Sequence, residues 1–309
     1  NFNLIYPNKV SLLLKNAYLR PRKMALIMEN SAQKRAFPTI GDMVVMLLLF
    51  FVVQLGCGLI LGALGVLPPT LSSVHEVDAE VYMSEQLQLG RYTALVYPLL
   101  MSLSLAVIWL YARLRGGKGA VKIGHSAAGL NPTIILVGVL WLVSAQVMLE
   151  PLTELLPKSE EAGVGRGLWA WITIAIFAPI LEELLCRGVL YGTVKRRWGV
   201  LSAIALSALF FGIIHFDPAT VVVALVAGLI LGVLYERTSS IFSTMIIHSL
   251  NNIVAFELIC FDIEDMSFSE VVGGGIPYYI LYAVACVVFV AISVEACVKV
   301  FKKRKEETK

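Results

Sequence analysis

The sequence predicts an all-α polytopic membrane protein with about eight transmembrane helices. Its 309 residues are 58% hydrophobic and only 15% charged, with a mean hydropathy of +0.80. A soluble domain is nearer half apolar and a quarter charged. Apolar segments of about 20 residues, the length that crosses a bilayer, also recur along the whole chain. Finally, the basic residues between these segments concentrate in alternate connections, as the positive-inside rule expects of a membrane protein.

Apolar runs long enough, or nearly long enough, to span a membrane occupy residues 43–66, 92–112, 132–150, 168–190, 199–215, 219–235, 241–260 and 276–298. The two short runs 199–215 and 219–235 are separated by Phe216, Asp217 and Pro218. An N-cap aspartate followed by proline at the first helical position is a strong signal for the start of a helix. These two runs are therefore predicted to form a tight helical hairpin.

The chain is expected to fold as one membrane domain over residues 43–300, with a motif-bearing core at about 130–255. Residues 1–42 form a basic segment predicted to be cytoplasmic or interfacial, and residues 301–309 form a basic cytoplasmic tail. Lys and Arg gather in these ends and in alternate loops, whereas the loop containing Glu80 and Glu85 is acidic, so both termini are predicted to be cytoplasmic. Short loops without extra domains favour a bacterial plasma membrane.

The strongest functional signal is a group of charges inside the predicted span 168–190. Glu182, Glu183 and Arg187 lie there, and a charge at a helix centre in a bilayer costs about 2.5–3.5 kcal/mol on the milder scales. Glu183 and Arg187 are four residues apart and can pair, whereas Glu182 projects about 100° away. Intramembrane ionisable groups normally face the bundle interior and indicate function. We therefore expect a polar cavity within the membrane domain.

Two of the four histidines lie in other predicted spans. These are His215 and His248, and Asn252 shares a helix face with His248. A carboxylate and an imidazole can activate water, or can ligate a divalent metal that does so. A second imidazole and a carboxamide can donate hydrogen bonds to an oxyanion. Together these groups indicate amide hydrolysis, while an ion- or proton-coupled transporter and a non-catalytic scaffold or immunity protein stay open as alternatives.

The polar residues also form motifs in a recognisable order on separate helices. They are Glu182-Glu183-x-x-x-Arg187, Phe211-x-x-x-His215 and His248-x-x-x-Asn252. Over about residues 130–255 this pattern resembles the CPBP family (CAAX protease and bacteriocin-processing, or Abi), which includes the type II CAAX prenyl endopeptidases. The resemblance implies that Glu183 and Arg187 form a supporting pair.

The resemblance further implies an intramembrane endopeptidase that processes CAAX-type or leader-type substrates. Glu182 would be the general base, assisted by His215, while His248 and Asn252 would stabilise the oxyanion. Both a metalloprotease and a metal-free glutamate mechanism fit, because Glu182, His215 and His248 could ligate zinc. The expected partners are the lipid bilayer and a membrane-associated peptide or protein, with no nucleic acid.

Overall fold

The computed structural model describes residues 37–72, 77–117, 119–157, 163–260 and 267–307. This part of the chain is helical and holds no strand beyond an isolated bridge between His125 and Ser240. In it, seven helical segments are long and apolar enough to cross a membrane. One of them covers two predicted spans, so the predicted all-α polytopic architecture is confirmed. Residues 1–36, most of the predicted basic N-terminal segment, lie outside the described residues.

The first two helices are an ordinary span and an unusually long one. Helix α1, Ile40–Ala63, begins with a capping box between Thr39 and Asp42. Helix α2, Ala79–Gly116, has 38 residues. At about 1.5 Å per residue it extends well beyond the roughly 30 Å hydrocarbon core. Glu80 and Glu85 were predicted to lie in an acidic loop. This prediction is wrong, because both residues lie in α2.

Gly167–Ile213 is a continuous helical segment that changes its winding four times. It consists of α4 (Gly167–Ile172), a π-helical turn (Thr173–Phe177), α5 (Ala178–Glu183), a longer π-helical stretch (Leu184–Tyr191) and α6 (Gly192–Ile213). Within α6 the backbone breaks at Gly199, where φ is 80° and ψ is −178°. The predicted spans 168–190 and 199–215 thus lie on either side of this break. π-Helical turns are rare and frequently occur at functional sites.

The predicted helical hairpin is confirmed. Helix α7, Pro218–Thr238, starts with Pro218 in its first turn, and the Asp217 carboxylate accepts a hydrogen bond from the Thr220 backbone N–H at 2.9 Å. The preceding helix α6 ends two residues earlier than predicted, so His215 lies in the turn and not in the helix. The backbone of Phe216 has a φ of 62°, a left-handed conformation that cannot continue a right-handed helix.

Helices α6 and α7 pack closely because a glycine of each helix lies against the backbone of the other. A Cβ atom added at Gly228 would meet the Cα atom of Ala208 at 2.9 Å, and one added at Gly212 would meet the Val221 carbonyl oxygen at 3.1 Å. The π-helical stretch Leu184–Tyr191 lies beside this pair, and its residues from 185 to 191 are all buried. It is the centre of the bundle.

The remaining elements complete the bundle around this centre. They are α3 (Pro132–Thr153), α8 (Ile241–Cys260), the short α9 (Phe268–Val271) and α10 (Gly275–Glu307). Many large apolar side chains of α1 and α10 are exposed, as expected where helices face lipid. Four of the six polar side chains of the predicted site are instead buried inside the bundle.

Candidate active site

Glu183 and Arg187 form a completely buried ion pair. Each has 0% of its side-chain surface exposed, and Arg187 Nη1 lies 2.7 Å from Glu183 Oε1. Arg187 Nη2 donates to the backbone carbonyl of Gly228 in α7 at 2.8 Å, and the guanidinium carbon lies 5.2 Å from the centre of the Phe211 ring. The pair thereby ties the glutamate-bearing segment to the α6–α7 hairpin.

His248 of α8 lies between the two glutamates. Its Nδ1 is 3.3 Å from Glu183 Oε1, and its Nε2 is 3.7 Å from Glu182 Oε2. An ionised carboxylate only accepts hydrogen bonds, so the Nδ1 contact requires a proton on that nitrogen. Glu183 therefore orients the imidazole, and its Nε2 edge is directed at Glu182.

Glu182 is buried, and its two carboxylate oxygens have different surroundings. Oε1 accepts a hydrogen bond from the hydroxyl of Tyr97 in α2 at 2.5 Å. Oε2 faces His248 at a distance too long for a direct hydrogen bond. The sequence reasoning did not select Tyr97. Tyr97 lies about midway along a membrane-spanning helix, whereas tyrosines of such helices normally lie near the membrane interfaces. This unusual position could have identified Tyr97 as a candidate site residue.

His215 is connected to His248 by the ring of Phe211, which contacts both imidazoles. Its Nδ1 lies 2.7 Å from the backbone carbonyl of Phe211. A carbonyl only accepts, so Nδ1 must carry the hydrogen and Nε2 is the basic nitrogen of neutral His215. The Phe211 ring contacts both imidazoles edge to face, with centroids 5.0 Å from His215 and 5.6 Å from His248.

Asn252 contacts the π-helical turn that precedes the glutamates. Its Nδ2 donates to the Ile174 carbonyl at 3.2 Å, and the Ser249 hydroxyl donates to the Ala175 carbonyl. In a π-helical turn the donor lies five residues on, which for the Ile174 carbonyl is Pro179, and Pro179 has no backbone N–H. Asn252 of α8 therefore supplies a hydrogen bond that the glutamate-bearing segment cannot make internally.

The part of the chain that carries this site is similar to known proteins. Residues 164–254 match a family model described as "Rce1-like: Type II CAAX prenyl endopeptidase Rce1-like". A Bacillus subtilis (strain 168) protein named "Putative membrane peptidase YdiL" is 30% identical over 81 residues, which are 26% of this chain and 33% of that protein. The chain thus spans about a third of that relative's length. No solved structure matches the chain.

All six predicted site residues lie within or beside helices of the Rce1-like segment. Glu182, Glu183, Arg187 and His248 are buried together, whereas His215 and Asn252 are half-buried and donate to the backbone carbonyls of Phe211 and Ile174. In the described ranges, no three His, Cys, Asp or Glu side chains are arranged to hold a metal ion. Zinc ligation by Glu182, His215 and His248 stays a prediction.

A cavity of about 620 Å³ lies beside the buried charges, lined mainly by residues of the matched segment 164–254 and also by Ile123 and His125. It opens between the glutamate-bearing segment and α8, and its walls are almost entirely apolar. Pro179 and Leu184 line one side, and Met245 and Ser249 line the other. The cavity thus follows the two helices that carry Glu182 and His248 without including either side chain in its lining.

Proposed function

We propose that this chain is an intramembrane endopeptidase that hydrolyses a peptide bond of a membrane-associated protein or peptide. The observation that carries the proposal is the buried arrangement of Glu182 and His248 within a segment that matches the Rce1-like family model. The family model and the Bacillus relative support a membrane protease. The identity of the catalytic residues and the substrate class are part of the proposal.

Glu182 acts as the general base through Oε2. A water molecule at hydrogen-bond distance from this oxygen also fits within reach of His248 Nε2, because the two atoms are 3.7 Å apart. Glu182 takes the proton of the attacking water, and the same proton then passes to the leaving amine. His215 assists with its Nε2, the nitrogen left free by the Nδ1 contact with the Phe211 carbonyl.

His248 and Asn252 donate to the oxyanion that forms when water adds to the carbonyl. His248 donates from Nε2 as the doubly protonated imidazolium, because its Nδ1 hydrogen is already donated to Glu183, and the Glu183 carboxylate balances the charge. The Asn252 amide nitrogen carries two hydrogens, so one is available to substrate while the other binds the Ile174 carbonyl. Glu183 and Arg187 support this arrangement without contacting the substrate.

The test is cleavage of a lipid-anchored peptide carrying a quenched fluorophore pair by the protein in liposomes. Glu182→Gln keeps the shape of the side chain but removes the base, so we expect kcat to fall about 10²–10⁴-fold. Glu257→Gln is the matched control, because Glu257 is an exposed carboxylate on α8. Wild-type rates in Glu182→Gln would contradict the proposal.

Two further arms separate the alternatives. Solute or proton flux into liposomes without peptide cleavage would favour a transporter, and a cellular phenotype unaffected by Glu182→Gln would favour a scaffold. Prenylated CAAX peptides and unprenylated leader peptides are compared to define the substrate class. Because no step above uses a metal, cleavage is expected to persist after dialysis against a chelator. Loss in chelator and recovery with zinc would instead support the metal ligands predicted from the sequence.

The protein is an integral membrane protein by its seven apolar spanning segments. We further propose that both termini are cytoplasmic and that the host membrane is a bacterial plasma membrane. The concentration of Lys and Arg in alternate connections of the sequence supports this orientation.

A further inference from the structure

Tyr97 is the polar neighbour of Glu182 to which no role has been given. It projects from α2, outside the matched segment 164–254, and its hydroxyl lies 2.5 Å from Glu182 Oε1. We propose that Tyr97 is a positioning residue that selects Oε2 of Glu182 as the oxygen that accepts the proton from water. This inference rests on the proposed endopeptidase function.

The donor and acceptor roles in the contact are fixed by chemistry. A tyrosine hydroxyl has one hydrogen to give, and an ionised carboxylate can only accept. Tyr97 therefore donates to Oε1, and its single hydrogen is not available to the substrate. A hydrogen bond from a hydroxyl to an ionised carboxylate is of the stronger, charge-assisted kind.

The contact distinguishes two oxygens that would otherwise be equivalent. The last torsion of a glutamate side chain is broad, so an untethered carboxylate rotates and exchanges its oxygens. With Oε1 held by Tyr97, the other oxygen, Oε2, is the one directed at His248 Nε2. The base atom is thereby held facing the imidazole that stabilises the oxyanion, and general base catalysis depends on such geometry.

The contact also joins separate parts of the bundle. Tyr97 comes from α2, Glu182 from α5 and His248 from α8. The Tyr97 hydroxyl needs a hydrogen-bond partner in this apolar span, because a buried tyrosine O–H is unfavourable without one. A purely structural reading, in which Glu182 merely satisfies the hydroxyl, predicts altered stability but unchanged turnover. The two readings are separable by kinetics.

The test measures kcat and KM for Tyr97→Phe with the lipid-anchored fluorogenic peptide described above. Loss of one charge-assisted hydrogen bond is expected to lower kcat about 10- to 100-fold. KM is expected to stay within about twofold, since Tyr97 holds the base and does not bind substrate. Tyr92→Phe is the control, because Tyr92 lies on the same helix and its hydroxyl has no hydrogen-bond partner in the described part of the chain.

Combining Tyr97→Phe with Glu182→Gln shows whether Tyr97 acts through Glu182. In Glu182→Gln, adding Tyr97→Phe should not lower the residual rate further, because the base it positions is already absent. Wild-type kcat in Tyr97→Phe, or an equal further loss in the Glu182→Gln background, would overturn the inference while leaving the endopeptidase function intact. If the wild-type protein cleaves no peptide, the proposed function fails and the inference fails with it.

Discussion

Arg187→Met removes the positive charge that compensates an enclosed carboxylate. Glu183 and Arg187 are both fully buried, so water cannot solvate the glutamate once its partner is gone. The substitution keeps much of the side-chain volume but loses the 2.7 Å ion pair and the hydrogen bond to the Gly228 carbonyl. The damage is therefore expected to come from uncompensated charge and not from a cavity.

The size of the effect follows from what buried pairs cost when one member is removed. Breaking such a pair destabilises a protein by about 3–5 kcal/mol. With roughly 2 °C of melting temperature per kcal/mol for a chain of this size, Tm should fall by about 6–10 °C. The assay is thermal unfolding of the purified protein in detergent, followed by intrinsic fluorescence and repeated at several heating rates.

Two further variants make the interpretation testable. Glu183→Gln combined with Arg187→Met removes both charges, so the double variant should regain much of the lost stability. Arg91→Met makes the same substitution at an exposed arginine of α2 and should leave Tm nearly unchanged. If Arg187→Met melts with the parent, or if the double variant melts no higher than the single one, the pair does not stabilise the fold as argued.

Two other substitutions probe how the helices are joined. Ser249→Ala removes the hydrogen bond to the Ala175 carbonyl and should cost about 0.5–1.5 kcal/mol in chemical unfolding, and an unchanged free energy of unfolding would contradict this contribution. Gly228→Leu should lower Tm strongly because its Cβ would meet an α6 backbone carbon at 2.9 Å, whereas Gly58→Leu, with nothing within 4 Å, should be tolerated in the same melting assay.

The spans could be predicted because they depend on local composition. Apolar runs of sufficient length become helices in a bilayer, where every backbone polar group must be satisfied internally. The start of α7 could also be predicted, because the N-cap Asp217 and the following Pro218 determine it within one helical turn. The end of α6 was not, because nothing in the local sequence indicates that a bulky residue such as Phe216 would adopt a left-handed backbone.

The site could be predicted only in part, for a similar reason. Spacing along one helix was enough to predict the pairing of Glu183 with Arg187, and the structure shows that contact. Contacts between helices depend on how the bundle is assembled. Tyr97 and Glu182 are 85 positions apart in the chain, and no periodicity links them. The contact of Asn252 with the Ile174 carbonyl likewise depends on a π-helical turn that hydropathy cannot reveal.

The π-helical turn Thr173–Phe177 has a consequence for how this protein can vary. A turn closed by i→i+5 hydrogen bonds takes up one residue more than an α-helical turn. If the same residues were wound as an α-helix throughout, every later side chain would be rotated by about 100° relative to the start of the helix. The direction in which Glu182 points therefore depends on the winding of this turn as well as on the residues in it. A single-residue deletion that returns the turn to α-helical winding is expected to keep Glu182 directed at its neighbours, whereas a deletion between the turn and Glu182 is expected to turn it away.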